Sequence, residues 1–150
     1  MLSNTHQKEK SASVTPTEME AVRELLYRYA RAVDTSDEDL LADCLHPDVV
    51  LHRVDGPRHG RDAVLAFYRT VFDGPTTWSK HLVSNVTCTS GPDGIAVHAY
   101  FHAVSTNADG GLSVFGEYSD QVVRCDDNSL RIAVKSIDVQ QTFPLEVTRG

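Results

Sequence analysis

Apolar residues in the first fifth of the chain recur every three or four positions, the spacing of an amphipathic helix. The helix is predicted to begin at Thr15, because Thr15, Pro16 and Glu18 form an N-terminal capping sequence. Its apolar face is formed by Met19, Val22, Leu25, Leu26, Tyr29 and Val33. This stretch therefore predicts a helix that packs one face against a core.

Two further helices are predicted before residue 75. The polar cluster at residues 35–37 ends the first helix and caps a short second one, which residues 46–48 break with a proline. A brief β-prone run at residues 49–52 and a turn at residues 55–57 follow. The third helix starts near Gly60, and its periodic face is Ala63, Val64, Phe67, Tyr68 and Val71.

The second half of the chain has the alternation and the composition of β-strands. Four runs rich in β-branched and aromatic residues occupy residues 80–89, 95–106, 112–124 and 130–139, and hairpin connections separate them. Helices followed by such strands favour an α+β fold, a curved antiparallel sheet wrapped around three N-terminal helices with one internal pocket. We predict one domain over residues 15–142, between a disordered tail at residues 1–14 and a tail at residues 143–150.

Composition narrows the range of functions. The chain has 150 residues and a net charge of −7, and it shows no basic stripe, so neither nucleic acid nor an anionic membrane is an expected partner. Its three cysteines fit no disulfide framework, and the N-terminal segment lacks the apolar run of a signal peptide. These features predict a cytoplasmic protein with reduced thiols.

Common catalytic motifs are absent from the sequence. The seven histidines do not form a zinc motif, no nucleophile elbow is present, and no glycine-rich phosphate loop is found, so we expect neither metal nor cofactor. Three chemically capable residues remain: Tyr29, Asp34 and His81. Taken singly, Tyr29 fits a core position, Asp34 a helix end and His81 a strand surface.

The order of short motifs resembles SnoaL-like domains of the nuclear-transport-factor-like, cystatin-like superfamily. The resemblance spans about residues 17–140 and rests on Arg-Tyr-Ala-Arg-Ala-Val-Asp at 28–34, His-Pro-Asp-Val-Val at 46–50 and Lys-His-Leu-Val-Ser-Asn at 80–85. Asp34, His81 and Tyr29 are similar to the catalytic set of the bile-acid 7α-dehydratases. The Asp34–His81 pair also resembles the dyad of hexachlorocyclohexane dehydrochlorinase, and His81 resembles the histidine of scytalone dehydratase.

The catalytic residues of some other enzymes of the superfamily are not found at the corresponding positions. The catalytic aspartate of ketosteroid isomerases would fall near His52 and Arg53. The tyrosine–aspartate pair of scytalone dehydratase would fall at Ala30 and Arg31. Neither set is reproduced here.

The resemblance implies that Asp34, His81 and Tyr29 face one another across the pocket as a catalytic group. Asp34 would fix one imidazole nitrogen, and the other would abstract a proton next to a carbonyl. The predicted activity is a cofactor-independent lyase, dehydratase or isomerase acting on a small hydrophobic cyclic metabolite. A reaction like that of polyketide cyclases or ketosteroid isomerases is an alternative. A non-catalytic binding or scaffold domain, like the small subunit of aromatic-ring dioxygenases, is another.

Strand alternation predicts which other residues line the pocket. If every second side chain of a strand points inward, the pocket includes Phe101, Phe115, Glu117 and Asn85. A homo-oligomer, either a dimer or a trimer, is also expected, because a long exposed strand is prone to pair with another chain.

Overall fold

The helices and strands follow the predicted order, with one additional strand. The computed structural model describes residues 13–148, so the predicted tail at 1–14 lies almost entirely outside the described residues. The elements are α1 (Pro16–Asp34), α2 (Glu38–Cys44), β1 (Leu45–Arg53), β2 (Gly56–His59), α3 (Arg61–Phe72), β3 (Trp78–Gly91), β4 (Gly94–Asn107), β5 (Gly110–Arg124) and β6 (Leu130–Leu145). The additional strand, β2, begins at Gly56, inside the turn predicted at 55–57.

Helix α1 begins and ends at side-chain hydrogen bonds that the sequence supplies. At its start, the backbone N–H of Glu18 donates to Thr15 Oγ1 at 3.1 Å, and Thr15 N–H donates to Glu18 Oε1 at 3.3 Å. At its end, Thr35 Oγ1 donates to the carbonyl of Arg31 at 2.7 Å, and Ser36 takes a left-handed φ of 53°. Asp34 is therefore the last helical residue.

The sheet has six strands in the order β2-β1-β6-β5-β4-β3 and is curved without closing into a barrel. Strands β3 to β6 form the predicted antiparallel meander. Strand β1, however, pairs with β6 in parallel, so the sheet is not wholly antiparallel as predicted. No hairpin links these two strands, so no local turn dictates their relative direction.

Strand β6 is longer than its sequence pattern indicated. It runs to Leu145, and Leu145 pairs with Gly111 of β5, so ordered structure continues past residue 142. The pattern ended at Val139 because the following Gln140, Gln141 and Thr142 are polar. These residues lie on an exposed stretch of strand, where hydrogen bonding to β5 does not require apolar side chains.

The helices and the inner face of the sheet enclose one core. Its buried members from the helices include Val22, Leu25, Leu26, Leu41, Val64 and Leu65, and those from the strands include Val49, Leu51, Val97, Ala99, Val122 and Ile132. Irregular positions at Ser84/Thr87 in β3 and at Gln140 in β6, opposite Phe115/Gly116 of β5, interrupt the regular pairing. Such bulges bend strands and increase their twist, which helps the sheet to curve around the helices.

Candidate active site

A cavity of about 310 Å³ lies between α1, α3 and the inner face of the sheet. Its apolar wall includes Val33, Phe67, Phe72, Phe101, Val114 and Ile137. The polar side chains that face it include Tyr29, Asp34, Arg53, Tyr68, Ser79, His81 and Tyr118. An apolar cavity with a few convergent polar groups is the usual form of a small-molecule site, and this one is at the small end of the usual range.

Asp34 and His81 form a hydrogen-bonded dyad at the cavity. Asp34 Oδ1 lies 2.6 Å from His81 Nδ1, and Asp34 Oδ2 accepts the backbone N–H of His81 at 2.9 Å. Ser79, two residues earlier on β3, donates its hydroxyl to Asp34 Oδ1 at 2.9 Å. The Asp34 side chain is 8% exposed and that of His81 22% exposed, so the carboxylate is the inner member.

These contacts fix the ionisation of Asp34. Burial alone would raise the pKa of Asp34, but the hydrogen bonds from His81 and Ser79, together with the charge of His81, lower it below its usual value. Asp34 is therefore a carboxylate that accepts hydrogen bonds. Because Nδ1 of His81 is held by Asp34, Nε2 is the nitrogen available to accept a proton from a bound molecule.

Tyr29 lines the same cavity, but its hydroxyl bonds to Tyr68 rather than to the dyad. Its ring packs edge-on against Tyr68 and Tyr118, with centroid distances of 6.1 and 6.4 Å. Burial raises the pKa of Tyr68 to about 12 and, with the neighbouring tyrosines, raises the pKa of Tyr29 as well. Both phenols are protonated at neutral pH. One hydrogen bond between two hydroxyls uses one of their two protons, which leaves the other free to donate.

A buried ion pair supports the tyrosines from the sheet. Lys135 Nζ lies 2.9 Å from Asp120 Oδ2, and its side chain is 1% exposed. The same ammonium lies 3.5 Å from the ring centroid of Tyr118 and 4.3 Å from that of Tyr29. Burial lowers the pKa of Lys135 and raises that of Asp120, and their mutual attraction opposes both effects.

Of the other predicted pocket residues, Phe101 lines the cavity, whereas Phe115 and Glu117 do not. Phe101 of β4 pairs with Gly116 of β5, so Phe115 and Glu117 point to the opposite, outer face. Phe115 is 43% exposed and stacks on His102 there, with centroids 4.1 Å apart. Glu117 accepts a hydrogen bond from Gln140 at 2.9 Å.

Asn85 also lies outside the cavity, contrary to the sequence prediction. It takes a left-handed φ of 52° within the irregular part of β3, between Ser84 and Thr87, and its side chain is exposed. The extra residue breaks the two-residue alternation that starts at His81, so Val86 and Cys88 pack on the core instead. Asparagine is one of the few residues that adopt this backbone conformation readily.

Four further polar residues line the site and were not predicted from the sequence: Arg53, Tyr68, Ser79 and Tyr118. Ser79 shares a strand face with His81, so alternation offered a signal for it. Tyr68 lies on the apolar face of its helix as predicted, and that pattern does not indicate a role for its hydroxyl. Tyr118 carried no separate signal, because the register of β5 was needed to place it.

Residues 15–134 match the family model of the SnoaL-like domain. The chain belongs to the SnoaL-like family. A search of the curated proteins found no significant sequence match to this SnoaL-like domain. The family assignment therefore rests on a match that spans most of the chain and ends within β6.

Solved structures agree with this SnoaL-like domain in fold at low sequence identity. A candidate scytalone dehydratase from Novosphingobium aromaticivorans DSM 12444 is 18% identical, with a TM-score of 0.78 over 88% of this chain and 90% of that one. Hexachlorocyclohexane dehydrochlorinase LinA-type3 from Novosphingobium barchaimii LL02 is 14% identical, with a TM-score of 0.78 over 89% and 96%. A protein with a cystatin-like fold from Nostoc punctiforme PCC 73102 is 18% identical, with a TM-score of 0.67 over 86% and 96%.

Two absences concern the described residues, 13–148. No group of three or more histidine, cysteine, aspartate or glutamate side chains in this range could hold a metal ion. No helix in the same part of the chain combines the length and the apolar character needed to cross a membrane.

Proposed function

We propose that this SnoaL-like domain is a cofactor-independent lyase or isomerase that acts on a small hydrophobic cyclic molecule. The observation that carries the proposal is the 2.6 Å contact between Asp34 Oδ1 and His81 Nδ1 at the wall of an otherwise largely apolar cavity. Three hydrogen bonds hold the Asp34 carboxylate, which in turn holds the imidazole of His81 in one orientation. The arrangement is typical of an oriented general base.

The proposed reaction begins with proton abstraction by His81 Nε2. The proton leaves a carbon next to a carbonyl, and its bonding electrons form an enolate. The electrons then expel a leaving group from the β-carbon, which completes an elimination, or they collect a proton at another carbon, which completes an isomerisation. Asp34 stabilises the imidazolium that forms. A positioned base of this kind contributes about a hundred- to ten-thousand-fold in rate.

Tyr29 and its partner Tyr68 supply the complementary acid. Their shared hydrogen bond leaves one hydroxyl proton to donate to the enolate oxygen or to a departing hydroxyl group. The surrounding aromatic wall, which includes Phe67 and Phe101, excludes water and strengthens this hydrogen bond.

Two of the similar solved structures support an elimination as the reaction class. One is a candidate scytalone dehydratase, and another is a hexachlorocyclohexane dehydrochlorinase. Loss of water and loss of hydrogen chloride are both eliminations, and either can begin with removal of a proton from carbon. This similarity favours lyase activity over a non-catalytic scaffold role, but it does not identify the substrate.

The test measures deuterium exchange from heavy water into a panel of cyclic ketones and 3-hydroxy cyclic ketones, followed by NMR. Elimination from the hydroxy ketones is followed by the absorbance of the enone. His81→Gln should lower the exchange rate by roughly a hundredfold or more, since the base is removed. His98→Gln is the matched control, because His98 lies on the outer face 3.7 Å from Glu117.

Two outcomes of this experiment would contradict the proposal. If His81→Gln retains the wild-type rate, the dyad is not the base. If the ketones bind in the cavity but none exchanges or eliminates, the domain is a binding or scaffold module, which is the non-catalytic alternative.

We also propose a homo-oligomeric assembly and a cytoplasmic location. The outer sheet face exposes Leu82, Tyr100, Phe115 and Phe143, each more than 40% accessible, and this supports a homo-oligomer of two or three chains. Light scattering of the purified protein measures that number. Three free thiols, Cys44, Cys88 and Cys125, support a reducing, cytoplasmic location.

A further inference from the structure

We infer that Arg53 binds a carboxylate of the substrate, so that the cavity selects hydrophobic ring compounds that carry a carboxylate group. This inference rests on the proposed function only in taking the cavity as the substrate site. It assigns a role to a residue outside the dyad and the tyrosine pair. The position of Arg53, its existing partners and the charges of the cavity support it.

Arg53 is the last residue of β1, and its side chain lines the cavity. Its Nε is buried and has no hydrogen-bond partner among the described residues. The side chain as a whole is 33% exposed, so Arg53 is not sealed off from a bound molecule. A buried donor without a partner is costly, so the protein alone does not satisfy the guanidinium of Arg53.

The nearest acidic group, Asp55, is already engaged. Its Oδ1 lies 3.8 Å from Arg53 Nε, which is too long for a hydrogen bond. Both of its oxygens instead accept from Arg58, at 3.0 Å from Nη1 and 2.9 Å from Nη2. Asp55 thus accepts its hydrogen bonds from Arg58, and the donors of Arg53 remain available to another acceptor.

The ring of Phe67 holds the guanidinium of Arg53 in place. The Arg53 guanidinium carbon lies 4.7 Å from the ring centroid, and that of Arg58 lies 4.1 Å from it. Stacking occupies the face of a guanidinium but leaves its edge free to donate. The edge of an arginine matches a carboxylate through two parallel N–H···O bonds, which favours a planar anion over a neutral group.

Arg53 supplies the fixed positive charge of the cavity lining. Among the residues that line the cavity, Asp34 and Arg53 carry fixed charges at neutral pH, and Asp34 is held by His81 and Ser79. The charge of Arg53 opposes the rise in the pKa of Tyr68 and Tyr118 that burial causes, so it acts on both hydroxyls. A carboxylate at Arg53 would therefore lie on the tyrosine side of the cavity.

The test compares cyclohexanecarboxylate with cyclohexanecarboxamide, which has nearly the same shape and no charge. Binding of each to the full chain is measured by NMR titration at constant ionic strength. Wild type should bind the carboxylate roughly tenfold more tightly than the amide, the size expected of a charge-assisted hydrogen bond. Arg53→Gln should abolish this preference, and Arg53→Lys should retain part of it.

Arg69→Gln is the matched control, because Arg69 lies on α3 like Phe67, pairs with Glu38 and does not line the cavity. It should keep the wild-type preference. Equal binding of the two probes to wild type, no binding of the carboxylate, or an unchanged preference in Arg53→Gln would each overturn the inference. If His81→Gln abolishes the preference and Arg53→Gln does not, the anion binds at the dyad. That result removes the role of Arg53 and leaves the proposed reaction intact.

Discussion

Asp120 and Lys135 lie opposite each other on β5 and β6 and form an ion pair that is almost completely withdrawn from solvent. The ammonium of Lys135 also contacts the ring faces of Tyr118 and Tyr29, both of which line the cavity. A charged pair inside the core therefore supports the floor of the candidate active site. Tyr29 is thus held both by the ammonium of Lys135 at its ring and by the hydrogen bond of its hydroxyl to Tyr68.

Removal of one member of this pair should strongly destabilise the fold. Lys135→Met leaves the Asp120 carboxylate buried without its partner, and such a loss costs about 3–5 kcal/mol. Urea unfolding followed by tryptophan fluorescence gives the free energy of unfolding. The double variant Lys135→Met with Asp120→Asn should be less destabilised than the two single variants summed. Strict additivity would show that the pair is not coupled.

The hydroxyls of Tyr29 and Tyr68 should be energetically coupled. Tyr29→Phe leaves the Tyr68 hydroxyl buried without its partner, and Tyr68→Phe does the reverse, at about 1–3 kcal/mol each. Tyr29→Phe with Tyr68→Phe removes both hydroxyls together and should cost less than the sum of the single changes. Chemical denaturation of the four proteins completes this double-mutant cycle. A coupling energy of zero would contradict the hydrogen bond.

Gly116 is predicted to be intolerant of a side chain. A Cβ there would lie 2.7 Å from two ring carbons of Phe101 and would also meet the backbone carbonyl of Asp138. Gly116→Ala should lower the free energy of unfolding by about 1–3 kcal/mol, as overpacking does. In Gly91→Ala the nearest atom would be 3.9 Å away, so that strand glycine is the control. Thermal unfolding of both variants compares them. If the two substitutions lower the unfolding temperature equally, the close contacts at Gly116 are not the cause.

Asp34 should contribute stability that depends on pH. Its pKa in the folded protein is below 3.8, the value for an unperturbed aspartate, so the folded state favours the carboxylate. This contribution is fully present above the unfolded pKa and is lost as the pH falls through the folded pKa. The difference in unfolding free energy between wild type and Asp34→Asn should therefore shrink on acidification below about pH 5. A difference that grows towards low pH would contradict the assigned shift.

The sequence predicted the elements that carry the dyad, because both lie where local signals are strong. The capping residues of α1 set the start of that helix and the polar cluster after Asp34 sets its end, and the β-branched run around His81 marks β3. The resemblance to SnoaL-like domains brought the two residues together. The structure then adds Ser79 and the backbone of His81 as further partners of the carboxylate.

The remaining pocket residues could not be assigned from alternation alone. The face on which a strand residue lies depends on register and bulges, and a shift of one position exchanges the two faces. The pairing of Phe101 with Gly116 sends Phe115 and Glu117 outward, and the left-handed Asn85 breaks the alternation in β3. The parallel pairing of β1 with β6 escaped prediction for a related reason, because it joins segments that are distant in sequence.

The role of His81 as an oriented base is tested most directly by the position of its ring proton. Long-range proton–nitrogen NMR correlation at alkaline pH, where imidazole rings are neutral, distinguishes Nδ1–H from Nε2–H. In wild type the proton should reside on Nδ1, since that nitrogen lies 2.6 Å from the Asp34 carboxylate, and Nε2 should be unprotonated. Asp34→Ala should redistribute the proton between the two nitrogens. A wild-type His81 protonated on Nε2, or a tautomer unchanged in Asp34→Ala, would contradict the dyad and the base assigned to it.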